Sequence, residues 1–502
     1  MLNLLKKNPL WICLLLALIL RLFSVIYSRG YMASDDHFET VQVAYEGARS
    51  GLLNPDGLMR WNAVESSEIG RSPLYVLLLY SLMKIQIGLG IQHLNSQMYL
   101  IRLIHALLSL SVVWFGYRYI YESTGQKKYS LWAGLILAAH FLMPYLSVRN
   151  LIEQVSADIL VPAVFLAYMG AGKNNGRLLM LSGILGGLSW MIRFNTGLAI
   201  MPIPFVIWYL SKNVRPALYF CAGVLLMIIF SGSLDAIFLG SFGRSTLNIL
   251  KSVFFPAGAP PLPQPIWIYT ILIFGVLIPP FSLYFLLPFF RRAVIRKHLI
   301  LFSAVTFFFA VHCLISHKEE RFLIPIFPLI IMMGVIGLRD WLSRYEISNL
   351  HQKVFKVSAI AAILLNFLLL PLFTFNYGHK GLVEPLAYLS HQEDIKGVFL
   401  DQVERNKLIP YSYVGFNSPP PMKIYDWPSL ERFAQFPDTF NNINYIIVFG
   451  DRTPKCHTDS LSRYMGSLKQ VFHSSPSFVE ELLHLLNPGH NLTNESWVFR
   501  RN

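Results

Sequence analysis

Five ionisable residues, His317-Lys318-Glu319-Glu320-Arg321, stand in a row between two apolar runs, one starting near Leu299 and the other ending near Leu338. Lys318 and Arg321 are suited to a phosphate, Lys as a point charge and Arg through its planar two-pronged guanidinium. His317 can add a third cation. Glu319 and Glu320 can pair with these bases or hold sugar hydroxyls. The same string also fits an exposed loop whose long side chains snorkel to water. Against that reading stands the charge packed into so short a turn. Pro325 and Pro328 remove backbone donors and loosen the helix that follows.

A second cluster opens the stretch SDDHFETVQVAYEGA at 34–48. Asp35 and Asp36 begin an amphipathic segment with Phe38, Val41 and Tyr45 at helical spacing. A carboxylate at a membrane border can act as general base toward an attacking hydroxyl. The same acids fit a helix start, with Ser34 or Asp35 as cap and negative charge at the positive helix end. The two roles are compatible. No third ligand follows Asp35-Asp36 at a metal-binding spacing, so no metal or other cofactor is assigned. Arg149 and Glu153, four apart, are expected to pair on a helix. Asp158 lies one turn deeper and needs a partner, for which Arg193 is the candidate. Asp235 closes another apolar run, as a substrate contact or simply as a helix end.

These residues are positioned by an apolar chain. Of 502 residues, 54% are hydrophobic and 14% charged, and the mean hydropathy is +0.47. So little charge cannot cover a soluble protein of this size. Runs long enough to cross a bilayer as helix are expected at 9–27, 99–120, 129–147, 154–171, 178–193, 196–211, 215–233, 267–289, 298–316, 322–338 and 357–374. The run at 73–91 is read as a re-entrant or surface helix on the outer side. If it crossed, Arg118, Lys127 and Lys128 would fall outside and every later loop would invert. With it outside, the basic loops face inward, as orientation by Lys and Arg requires. The expected fold is therefore an all-α polytopic membrane protein of eleven spans plus one outer segment.

Residues 1–376 form the membrane domain, with 28–98 as its first extracytoplasmic loop. Residues 377–502 read as a small extracytoplasmic α/β domain, with strand-like runs at 397–400 and 445–449. In this topology both charge clusters, with Arg149, Glu153, Arg193 and Asp235, fall on the outer side near one depth. That arrangement predicts one outward-facing cavity at the lipid border. The net charge of +14 sits in the inner loops rather than in a basic patch with interleaved aromatics, which argues against nucleic-acid binding. Cys13, Cys221, Cys313 and Cys456 make neither a disulfide framework nor a zinc pattern. No glycine-rich phosphate loop is evident.

HKEERFLIPIFPL at 317–329 resembles the signature of the Alg9-like mannosyltransferases, C-type (GT-C) enzymes that use dolichyl-phosphate mannose. His317, Lys318, Glu319, Arg321 and Phe322 match its His-Lys-Glu-x-Arg-Phe loop. The segment at 34–48 is similar to the family's acidic first luminal loop, with Asp36 where Glu is usual. GRSPLYVLLLY at 70–80, RNLIEQVSA at 149–157, the Arg193 segment at 185–205 and the Asp235 segment at 234–252 are similar to further family elements. The resemblance implies an inverting transfer of a sugar, mannose in the family, from a polyprenyl or dolichyl phosphate to a hydroxyl of a glycan or glycolipid. It implies Asp35 as base with Asp36 in support, and His317, Lys318 and Arg321 at the donor phosphate. Glu319, Glu320, Arg149, Glu153, Arg193 and Asp235 are candidates for other substrate contacts. The membrane would be that of the endoplasmic reticulum or, in a bacterial relative, the inner membrane. A GT-C enzyme with a different sugar, a transporter or flippase of lipid-linked sugars, and a noncatalytic scaffold remain as alternatives.

Overall fold

The computed structural model describes residues 8–60, 70–254, 264–316, 318–344, 348–402, 409–415, 424–425, 442–450, 459, 461–463, 465–486 and 495–501. His317 lies outside them. The described chain divides into two compact units. The first comprises Met1–Val25, Leu53–Leu78 and Arg102–Thr374, and the second Ile26–Leu52, Leu79–Ile101 and Phe375–Asn502.

Most of the chain is helical. Among the described residues seven helices are long and apolar enough to cross a membrane, or eight if the bent pair Ile268–Val276 and Phe281–Phe290 counts as one span. Shorter apolar helices occupy Pro73–Gly88, Gly176–Ile192 and Leu299–Leu314. The protein is thus an integral membrane protein of mostly helical architecture. Two expected spans are broken. The run at 267–289 bends by 98° at Pro279-Pro280, where neither residue offers a backbone N–H to the helix ladder. The run at 129–147 breaks at His140, between helices Lys127–Ala139 and Leu142–Leu146. The freed backbone groups there are satisfied from another helix. Asn366 accepts from the Phe141 N–H at 2.8 Å and donates to the Ala139 carbonyl at 2.8 Å, which meets the demand for internal pairing inside lipid.

In the first unit, helices Gly176–Ile192 and Val214–Leu239 approach through glycines. A Cβ on Gly183 would lie 2.1 Å from the Phe220 carbonyl oxygen, and one on Gly223 2.2 Å from that of Met180. Small residues allow such close backbone approach where lipid offers no hydrophobic drive. Asn175 and Asn213 cap these two helices by accepting from Arg177 and Leu178, and from Arg215. The first membrane helix, Leu10–Tyr27, carries a fully buried arginine. Arg21 donates to Ser109 Oγ at 2.7 Å and to the carbonyls of Ala17, Leu137 and Ala138. It also lies within electrostatic reach of Asp158. Asp158 accepts from Gln154 Nε2 at 2.8 Å. The intramembrane carboxylate therefore finds Arg21 rather than Arg193, a partner set by how the helices pack.

The second unit holds a five-stranded sheet in the order β2-β1-β3-β5-β4. The strands are β1 (Val398–Gln402), β2 (Ile424–Tyr425), β3 (Tyr445–Gly450), β4 (Leu468–Ser474) and β5 (Glu495–Arg501). β2, β1 and β3 pair in parallel, and β5 and β4 continue the sheet antiparallel. β1 and β3 fall on the two apolar runs read as strands. Their unbroken apolar character suits strands covered on both faces, and Phe399, Ile446 and Val448 form the core with Trp497 and Phe499 of β5.

Gly223→Ala is expected to force the two glycine-packed helices apart at a cost of about 1–3 kcal/mol. The check is a lowered thermal unfolding midpoint of the detergent-solubilised protein. An unchanged midpoint would contradict the packing.

Candidate active site

In the first unit a fully buried carboxylate gathers two arginines. Glu153 lies in the first turn of helix Ile152–Gly172 and is 0% exposed. A negative charge is favoured there by the unpaired N–H groups of the helix start. Arg193 follows the helix Gly176–Ile192, in extended conformation at its C-terminal cap. Its Nη2 lies 2.9 Å from Glu153 Oε1. Arg321 comes from the 3-10 turn Glu320–Ile326. Its Nε lies 3.9 Å from the same Oε1 and donates to Glu319 Oε2 at 2.6 Å. Both guanidiniums lie near the Phe322 ring, 5.3 and 5.7 Å from its centroid, and so acquire an aromatic contact as well.

Glu153 thus pairs with Arg193, expected beside Asp158, and helix geometry along 149–153 is not what decides its partner. Arg149 is buried with its guanidinium 4.5 Å from the Tyr145 ring centroid. The Arg193 backbone leaves the helix before the guanidinium turns, which brings it to Glu153 of the neighbouring helix.

The loop itself is pinned. The Tyr269 hydroxyl accepts from the Glu319 N–H and donates to the Glu319 carbonyl, each at 3.1 Å. Lys318 is buried and donates its ammonium protons to the carbonyls of Gln264, at 3.2 Å, and Ile315, at 2.5 Å. In this structure its charge ties backbone segments together. Glu320 is exposed. Asp235 is fully buried, and its Oδ2 accepts from the Ser245 N–H at 2.9 Å and Ser245 Oγ at 2.7 Å. It holds the first turn of helix Arg244–Phe254.

The second unit carries Asp35 and Asp36 in a short helical turn, Ser34–Asp36, that runs into a π-helical turn, His37–Gln42. Such widened turns are frequent at functional sites. The cap position falls on Ala33, with no side-chain cap bond, so neither Ser34 nor Asp35 is the cap. Both acids still face the positive helix end. Asp36 is buried and Asp35 half-buried, so Asp35 is the more accessible carboxylate. The Asp36 carbonyl accepts from Thr40 Oγ1.

Beside them runs an aromatic stack that spacing could not reveal. Tyr31 lies between His37 and His379, with centroid separations of 4.4 Å on each side, and His37 stacks on Tyr413 at 5.4 Å. Tyr411 donates to Glu46 Oε1 at 2.5 Å. Residues hundreds of positions apart meet here, and their types alone look like ordinary core and surface residues. Burial, with His379 nearby, pushes the His37 imidazole down to about 3, so it is neutral at physiological pH.

The chain combines helices of membrane-spanning length with a small C-terminal sheet. The fold is similar to that of ArnT from Cupriavidus metallidurans in the apo state, with a TM-score of 0.58, 12% identity and 97% of each chain covered. It is likewise similar to the same ArnT bound to undecaprenyl phosphate, with a TM-score of 0.57, 11% identity and 97% of each chain covered. Over residues 11–403 the sequence matches the Alg9-like mannosyltransferase family, and the chain belongs to that family. It is a glycosyltransferase. No curated protein matches it in sequence.

Removing Glu153 leaves two arginines facing each other in a largely dry site. Breaking a buried pair in this way costs about 3–5 kcal/mol. Glu153→Ala is therefore expected to unfold at clearly lower temperature, and Glu153→Gln less so. Equal stability of Glu153→Ala and wild type would contradict the pairing.

His37 gives a pH dependence of defined sign. Its folded value is depressed from 6.5 to about 3, so the unfolded chain binds the proton more readily. Its contribution to stability is fully present above about 6.5, falls as pH drops and is gone below about 3. The wild-type melting midpoint is expected to drop more between pH 7.5 and pH 4.5 than that of His37→Gln. Equal drops would contradict a buried neutral imidazole.

Proposed function

We propose that the protein is an inverting glycosyltransferase that moves a sugar from a polyprenyl or dolichyl phosphate to a hydroxyl of a glycan or glycolipid. On the family's pattern the sugar is mannose. The observation that carries the reading is the guanidinium pair of Arg193 and Arg321 on buried Glu153, with Arg321 in the loop that matches the family signature. An ArnT of similar fold holds undecaprenyl phosphate, which supports a polyprenyl phosphate as leaving group. On the orientation read from the basic loops of the sequence, the site faces the extracytoplasmic side, with residues 377–502 there as well.

In this mechanism Asp35 takes the proton of the acceptor hydroxyl as its oxygen attacks C1 of the sugar. Asp36 supports the base or orients the acceptor. The bond between C1 and the phosphate oxygen breaks, and the electron pair leaves with the phosphate. Attack opposite the leaving group inverts the anomeric centre. The phosphate accumulates charge as it departs. Arg321 and Arg193 stabilise that charge in a site where water is scarce and fixed donors act strongly; on the family's pattern His317 and Lys318 are assigned to the same phosphate. Glu320 and Arg149 are assigned to the acceptor side. The phosphate departs without a nucleotide, and the reading assigns no metal cofactor to the reaction.

The test is an assay of purified protein with a panel of polyprenyl-phosphate sugars and glycan acceptors. Turnover is expected without added divalent metal, and Asp35→Asn is expected to lose at least about 100-fold, the lower scale of a general base. Normal turnover in Asp35→Asn would overturn the base. Movement of lipid-linked sugar across vesicles without transfer would favour a flippase instead.

A further inference from the structure

The four charges gathered around Glu153 in the first unit differ in how firmly they are held. Glu153 has no exposed surface in its side chain, Arg193 has 15% and Arg321 12%. Glu319 has 33%, so it is the member in contact with solvent. Its backbone is fixed on both sides by the Tyr269 hydroxyl. Its carboxylate can therefore swing about its own side-chain torsions while the loop stays in place. In the present structure that carboxylate sits on Arg321 Nε at 2.6 Å. It occupies, with the same charge sign and the same acceptor atoms, the donor group a phosphate oxygen would take.

We propose that Glu319 is an exchangeable counter-anion of Arg321, one that the lipid phosphate displaces on binding and that recaptures the guanidinium to expel the product. This rests on the phosphate-leaving reaction proposed above. The chemistry gives such an anion a purpose. The sugar donor is a phosphodiester with one negative charge. The product is a phosphomonoester, which carries more charge near neutral pH and binds a cationic site more tightly. A seat made of Arg193 and Arg321 alone would hold its product. A carboxylate two residues from Arg321 competes for it at high local concentration, because both share one short pinned loop. Glu153 cannot serve this way, since it is enclosed and holds both guanidiniums in place. Glu319 is accordingly a positioning residue that acts through Arg321.

The experiment measures binding of undecaprenyl phosphate to the purified full-length protein, together with steady-state kinetics. Glu319→Gln keeps the shape and removes the competing charge. It is expected to bind undecaprenyl phosphate about threefold or more tightly, the scale of a partly exposed ion pair, with a lowered KM for donor and a lowered kcat from slow product release. Asp56→Asn removes one negative charge from an exposed side chain that has no part in the proposed site, and is expected to bind as wild type does. Wild-type binding with no tightening in Glu319→Gln would overturn the proposal. Equal tightening in both variants would also overturn it, because bulk charge would then explain the effect. Absence of undecaprenyl phosphate binding in wild type would instead overturn the lipid-phosphate reading on which the proposal rests.

Discussion

One buried carboxylate organises the charged end of the membrane unit. Glu153 leaves water completely, and that is costly unless its charge is met. It is met by Arg193 at 2.9 Å, with Arg321 at 3.9 Å on the same oxygen. Three chain segments converge on that oxygen: the start of one helix, the end of a second and a 3-10 turn. Each brings a backbone terminus whose own dipole or extended conformation presents the side chain. The cost of burying Glu153 is thus offset by fixing two guanidiniums in one place, and fixed donors suit a phosphate that develops charge.

The surrounding construction keeps that place rigid. Phe322 lies against both guanidiniums, Tyr269 pins the Glu319 backbone, and Lys318 secures the loop through the Gln264 and Ile315 carbonyls. Elsewhere in the bundle, Arg21 beside Asp158 solves a similar problem with different partners. Both sites follow one rule: an ionisable group within apolar helices persists where several segments supply charged or hydrogen-bonding partners. The sheet unit obeys a different economy, with parallel strands covered by apolar side chains and the Tyr31 stack built from chain segments far apart.

Much of this was legible in the sequence, for identifiable reasons. Helices of spanning length announce themselves by apolar runs, and β1 and β3 by short β-branched and aromatic runs. The charge string at 317–321 was conspicuous because charge is scarce in such a chain. Breaks were less legible. Pro279-Pro280 carries its own signal, whereas the break at His140 depends on Asn366 from a helix far along the chain. Partners were least legible of all. Spacing offered Arg193 for Asp158, but the packing of helices brought Arg193 to Glu153 and Arg21 near Asp158. The choice depends on angles between helices, which local periodicity does not encode. Asp235 was ambiguous from sequence because substrate contact and helix end both call for an acid there, and its bonds to Ser245 of the next helix leave no local signal. The His37 stack gave no signal, since stacking needs no spacing.

The central claim is that the arginine pair on Glu153 seats the phosphate of a polyprenyl lipid. It is tested most directly by an experimental structure of the protein with bound polyprenyl phosphate. The account predicts phosphate oxygens within hydrogen-bond distance of both Arg193 and Arg321, with Glu153 still between the two guanidiniums. A phosphate seated elsewhere, with that pair untouched, would contradict it.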